Sequence, residues 1–175
     1  MSLNYILKVS AKASANLFSL TETAKANGIN PYDYLKEVFT QLPNATAVNV
    51  RELTNRNWGV SMHYQLFKIS QYLRGWINYF GIANCYQLCV DLDHWIRRRV
   101  RMAYWRQWRK PRTKVRNLMK RGVHVQAAIA CGITSKGPWR SSKTPGINQA
   151  LSNAYLKSEG LYELRDGWIR LHYPK

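Results

Sequence analysis

Cys85, Cys89 and His94 are residue types that ligate zinc, and Asp91 with Asp93 is the closest pair of carboxylates in the chain. Their spacing argues against metal chemistry. Cys-x3-Cys-x4-His on one helix supplies three ligands and no convincing fourth follows, whereas structural zinc takes four. Thiols at i and i+4 on an apolar stripe behave instead as small buried hydrophobes. Carboxylates at i and i+2 point to different helix faces, and these two are better suited to neutralising nearby arginines or a helix N-terminal region. No Gly-rich phosphate loop, GxSxG or HExxH is present. The expectation is a protein without metal, cofactor or bond-making chemistry.

What the residue types do favour is phosphate recognition. From His94 to Ser158 the chain runs 65 residues without an Asp or Glu, yet carries sixteen Lys or Arg and four of the seven Trp. The nine acids and eleven remaining bases lie outside, so sixteen of the eighteen net positive charges fall in this window. A one-signed block repels itself unless a polyanion neutralises it, and interleaved Trp offers flat faces on which bases can stack. Between Arg97 and Arg121 twelve of 25 residues are basic, and six arginines precede Lys110. That bias favours forked and stacked contacts over point charges. Three blander readings compete. The run could be a solvated face; Trp105 could pack beneath its Arg neighbours as a cation–π lid or meet another helix; and Trp beside Arg suits an anionic membrane surface, although the apolar stripe behind it is needed for a core.

The elements that must position these groups read as helices. A chain of 175 residues buries one ordinary core, with or without an appendage, and 46% hydrophobic with 13% aromatic residues argues for a folded protein. Three cysteines make no disulfide framework, which fits a reducing cytosol. No apolar run of about 18 residues and no export signal is seen, so the expected location is cytoplasmic, away from any membrane. Residues near Ala13 to Asn27 suit a helix stopped by Gly28. Asn30-Pro31 then caps a second helix with Tyr34, Leu35, Val38, Phe39 and Leu42 on one face, ended by Pro43. A turn-rich stretch follows from Asn44 to Gly59.

From Ser61, Met62, Leu66, Ile69, Leu73, Trp76, Ile77 and Phe80 recur at three and four, the pattern of one helical stripe. Asn84 with Gln87 resembles a capping box, after which Cys85, Cys89, Leu92, Ile96, Val100 and Ala103 make a second stripe. Rotation by about 100° per residue puts Arg98, Arg101, Trp105 and Arg109 on the opposite side. Pro111 opens a third helix with Val115, Leu118 and Met119 inward, closed by Gly122. Beyond it come a short Ala-rich helix, a loop reading TSKGPWRSSKTPG, and a helix with Ile147, Leu151 and Tyr155 on one side. The fold class expected is all-α, a bundle of at least three helices with an N-terminal helical hairpin as appendage.

In order along the chain, YLRGWINYF, LDHWIRRRVRM, the WxxWRKPRTK joint, KGPWR and a SNAYL segment resemble the thumb or maturase region of bacterial group II intron reverse transcriptases, over about 51–175. Nearer the N-terminus, the segment AKASANLFSLTETAKANGINPYDYLKEVFTQLPNA resembles the C-terminal tail of DDE transposases of the insertion-sequence sixty-six family, over about 11–45. The two resemblances imply a composite: a transposase-tail-like hairpin at 1–46, a junction at 47–60 and a maturase-specific thumb domain at 61–175.

The resemblance implies binding of structured group II intron RNA, and of primer–template RNA/DNA where a thumb serves polymerisation. Carried over by motif, the RNA-binding residues are Arg97, Arg98, Arg101, Arg109, Lys110, Arg112, Lys114, Arg116, Lys120 and Arg121, with Trp105 beside them and Arg74, Lys136 and Arg140 as weaker candidates. The sequence has no YxDD segment, so the expectation is a non-enzymatic RNA-binding maturase fragment. Two alternatives remain: a thumb subunit docking on a separately encoded reverse transcriptase palm, and a decayed mobile-element fusion without selected function.

Overall fold

Two long amphipathic helices make the centre. In α3 (Met62–Phe80), Ser61 Oγ accepts the Tyr64 N–H at 3.3 Å as N-cap, and Met62, Leu66, Ile69, Leu73, Trp76 and Ile77 are buried along the expected stripe. In α4 (Tyr86–Gln107), Cys89, Leu92, Ile96, Val100 and Ala103 are likewise buried. Met102, Tyr104 and Trp105 are buried too, so the C-terminal half of α4 is enclosed rather than half-exposed. The structure, a computed structural model, describes residues 14–15, 18–81 and 84–173. Among these residues there is no strand, and the architecture is an all-α bundle.

What encloses α4 comes from late in the chain. α7 (Pro138–Ser141) packs along it on one side and α10 (Leu164–His172) on another, with α10 also reaching α3. Asp93, 3% exposed, ties α4 to α10: its Oδ1 accepts the Leu164 N–H and its Oδ2 the Arg165 N–H, both at 2.9 Å. The carboxylate thus caps the otherwise unpaired N–H groups at the start of α10. Burial pushes the Asp93 carboxyl above the usual range, against the lowering pull of those two N–H groups and of Arg97. Ser70 Oγ makes a parallel tie, donating to Gly160 O at 2.7 Å and accepting the Tyr162 N–H at 2.9 Å.

The N-terminal part departs from expectation. Residues 18–26 form α1, and Gly28 at φ 68° turns the chain out of it. The next helix, α2 (Pro31–Leu53), begins as expected: Asn30 Oδ1 accepts the Tyr32 N–H at 3.0 Å, and Pro31 takes the first position. Pro43 does not end it. The helix continues for ten residues beyond, so the stretch expected to be turn-rich from Asn44 is helical to Leu53. An interior proline loses a hydrogen bond and crowds the preceding turn, and packing offsets this. Thr46 and Val50 are fully buried where α2 meets α3 and α4. The start expected near Ala13 and the side chains of Val38, Phe39 and Leu42 lie outside the described residues.

Smaller differences follow the same logic. The N-cap of α4 is Cys85, without a side-chain hydrogen bond, so Asn84 and Gln87 form no capping box; Gln87 bonds Asp91 instead. In α5 (Pro111–Lys120) Leu118 is buried and Val115 half-buried, but Met119 is 43% exposed and not inward. α6 (Val125–Gly132) packs on α5. The segment bearing Ile147, Leu151 and Tyr155 is two short helices, α8 (Pro145–Ala150) and α9 (Asn153–Ser158), with α7 inside the expected loop.

Two substitutions test this core. Ile96→Ala, at 1% exposure, is expected to cost about 2–5 kcal/mol in urea unfolding. Asp93→Ala leaves two backbone donors without acceptors and is expected to cost about 2–4 kcal/mol, with Asp93→Asn intermediate because its amide oxygen serves one donor well.

Candidate nucleic-acid interface

The arginines of α4 are mostly committed to the protein itself. Arg97, 12% exposed, pairs with Glu163 at 3.0 Å. Arg98 lies flat on Trp139, its guanidinium carbon 3.6 Å from the ring centroid, and its Nη2 donates to Trp139 O at 3.2 Å. Arg99 donates to Thr54 Oγ1 at 2.9 Å and to Arg51 O at 3.4 Å, fastening the end of α2. Arg101 donates to Leu151 O and Asn153 Oδ1, both at 2.9 Å. Burial lowers the Arg99 and Arg101 guanidinium pKa values, reinforced by Arg106 and Arg51 for the first and by Arg97 for the second. Of the four residues expected on the solvent-facing side, Trp105 is buried, Arg98 and Arg101 are half-buried and Arg109 is exposed, so other segments occupy most of that side. Carbonyls and side chains from Arg51, Thr54, Trp139, Leu151 and Asn153 cover it.

Trp105 is corrected most plainly. At 2% exposure it cannot stack on a base. It meets Trp108 edge-on at 6.1 Å, and Lys114 Nζ sits 4.6 Å from its ring centroid. Trp108 in turn lies under Arg121, whose guanidinium is 5.0 Å away and also donates to Tyr155 Oη at 3.1 Å and to Asn117 O at 3.1 Å. This aromatic–cation stack pins the α4–α5 joint and holds the WRKPRTK segment in place.

What projects from that joint is free charge. Arg106, Arg109, Lys110, Arg112, Arg116 and Lys120 make no hydrogen bond or ion pair from their side chains to the described residues. Arg112, Arg116 and Lys120 recur at i, i+4 and i+8 and are exposed, forming one cationic edge of α5. The first turn of α5 carries no acid and begins with Pro111 and Arg112 after Lys110. Positive side chains there oppose the helix dipole, so an anion at this end relieves two repulsions at once.

The weaker candidates lie elsewhere. Lys136 and Arg140 are exposed around α7. Arg74 is exposed on α3, with its guanidinium 5.6 Å from the Tyr162 ring centroid. Two further residues join the set only in the structure. Arg106 stands free in the basic run, and Trp139, 36% exposed, is the platform for Arg98. The KGPWR motif holds Trp139, but spacing alone could not pair it with a residue 41 positions away.

Cys85 and Cys89 are free thiols with sulfurs 3.8 Å apart, and no group of three His, Cys, Asp or Glu among the described residues could hold a metal. Likewise no helix among them is long and apolar enough to cross a membrane.

Residues 45–122 match the group II intron, maturase-specific domain. This segment is a maturase-specific match. Residues 19–54 match the IS66 C-terminal element. The two matches overlap at 45–54, inside α2 and its C-cap, so the composite passes from one likeness to the other along a continuous helix. No curated protein matches the chain.

Charge reversal separates the two classes of arginine. Arg101→Glu sets a carboxylate against Leu151 O and Asn153 Oδ1 and is expected to cost about 2 kcal/mol or more in thermal or urea unfolding followed by circular dichroism. Arg112→Glu and Arg116→Glu on the open edge are expected to change stability by no more than about 0.5 kcal/mol.

Proposed function

We propose that this protein binds structured group II intron RNA through the α4–α5 joint and the outer edge of α5, and helps that RNA reach its splicing-active fold without catalysing bond formation itself. The observation that carries this reading is the set of six free cations, Arg106, Arg109, Lys110, Arg112, Arg116 and Lys120, in the segment matching the maturase-specific domain. Each phosphate they neutralise releases condensed counterions, a gain available only from a densely charged polyanion. In this reading the intron RNA supplies the chemistry and the protein supplies position and charge. Residues 61–175 serve as the RNA-binding domain, with 47–60 as the junction and 1–46 as the transposase-tail-like appendage.

The contacts divide by role. Arg109, Lys110 and Arg112 around the start of α5 take phosphates, as do Arg116 and Lys120 farther along the same helix. Arg97, Arg98, Arg101, Trp105, Lys114 and Arg121 shape the scaffold that presents them. Lys136, Arg140 and Arg74 extend the positive field and bind more weakly.

Filter binding of a group II intron RNA across a salt series tests the reading. With six cations, log affinity should fall against log salt with a slope of about −4 to −5. The triple variant Arg109→Glu, Arg112→Glu, Arg116→Glu should flatten that slope by about two to three, weaken binding at least about tenfold and leave the helical signal intact. A nearly salt-independent affinity would remove the basis for the reading.

A further inference from the structure

Between the end of α2, the start of α3 and the C-terminal end of α4 lies a cleft of about 810 Å³, within the roughly 300–1,000 Å³ of ligand sites. Trp105 is buried in its wall, Arg106, Arg109 and Lys114 line it, and no carboxylate does. Arg106 also raises the positive potential felt by Arg99, whose guanidinium pKa is lowered by burial first and by Arg106 next. The cleft is therefore an anion site by charge. Gln65, in the first turn of α3 and 5% exposed, adds a second and independent feature. Its Oε1 is buried without a hydrogen-bond partner.

An acceptor in that state carries a desolvation penalty until a donor reaches it, and a bound ligand can supply one. The neighbouring acceptors are already engaged: Thr54 Oγ1 by Arg99, and Asn55 Oδ1 by the Asn57 N–H. A phosphodiester alone would satisfy the guanidinium groups but, once ionised, has no proton left to donate to Gln65. The ligand must carry an anion and a neutral donor together. An RNA nucleotide does so whatever its base, through its phosphate and its ribose 2′-hydroxyl, and the 2′-hydroxyl is the group that separates RNA from DNA.

We infer that this cleft seats one nucleotide of the bound RNA, its phosphate on Arg106 and Arg109 and its ribose 2′-hydroxyl donating to Gln65 Oε1. The inference rests on the RNA-binding reading and sharpens it, because it assigns ribose discrimination to one side chain. Gln65 is then a specificity residue, and the six free cations account for affinity without sensing the sugar.

The test compares labelled single-stranded RNA of about 12 nucleotides and mixed sequence with its all-deoxy counterpart, binding the full chain and its Gln65→Met variant. Methionine keeps the length of the side chain and removes the acceptor, so the unfolding midpoint should not fall. The expected result is a loss of about fivefold to tenfold in RNA affinity with DNA affinity unchanged. Arg109→Ala, in contrast, should weaken RNA and DNA alike. Equal losses for RNA and DNA in Gln65→Met, or no loss for either, would overturn the ribose assignment, as would failure of the wild-type chain to bind the short RNA. Salt-sensitive binding of the intron RNA alongside any of these results would leave the broader reading standing. Its absence would remove both.

Discussion

Enclosure of α4 is the constraint from which the rest of the molecule follows. A helix with five arginines in its second half would ordinarily keep one side in water. Here α2, α3, α7 and α10 pack around it, and Met102, Tyr104 and Trp105 join the core. Burying a guanidinium without partners is costly, and the enclosed arginines find acceptors for most of their donors, with Arg98 Nε and Arg121 Nε left without one. Arg97 finds Glu163, Arg99 finds Thr54, and Arg101 finds Leu151 and Asn153. These bonds stitch segments far apart in the chain to one helix.

Charge is thereby sorted by position along the polypeptide. From Arg97 to Arg101 the arginines hold the fold, and from Arg106 to Lys120 the cations other than Lys114 stand free, before Arg121 is engaged again. The stack of Trp105, Trp108, Lys114 and Arg121 lies between the two groups and ties α5 to the end of α4. Repulsion among the free cations, and between them and the start of α5, is left unrelieved by any carboxylate bonded to them among the described residues. That stored repulsion is the physical reason to look for a polyanionic partner.

Much of the scaffold was legible in sequence. The stripe from Met62 to Ile77 and that from Cys89 to Ala103 sit as their spacing required, and Asn30-Pro31 starts α2 as expected. Pro43 does not end α2 because a local preference for ending a helix is worth only a few kcal/mol, which burial of Thr46 and Val50 can outweigh. Trp105, Arg98 and Arg101 are covered for a related reason. Helical rotation correctly set them opposite one apolar stripe, yet it carries no information about whether a second layer will cover that side.

The sequence by itself determined the all-α class, the two central helical stripes and the sign and location of the charge, because periodicity and composition are properties of neighbouring residues. Only the tertiary structure decided which cations are spent and which remain. Glu163 and Asp166 lie beyond the acid-free window, but folding brings Glu163 to Arg97 and both carboxylates to Lys157. A carboxylate 66 residues away in the chain neutralises an arginine once packing places it 3.0 Å away, and no reading of adjacent residues contains that distance.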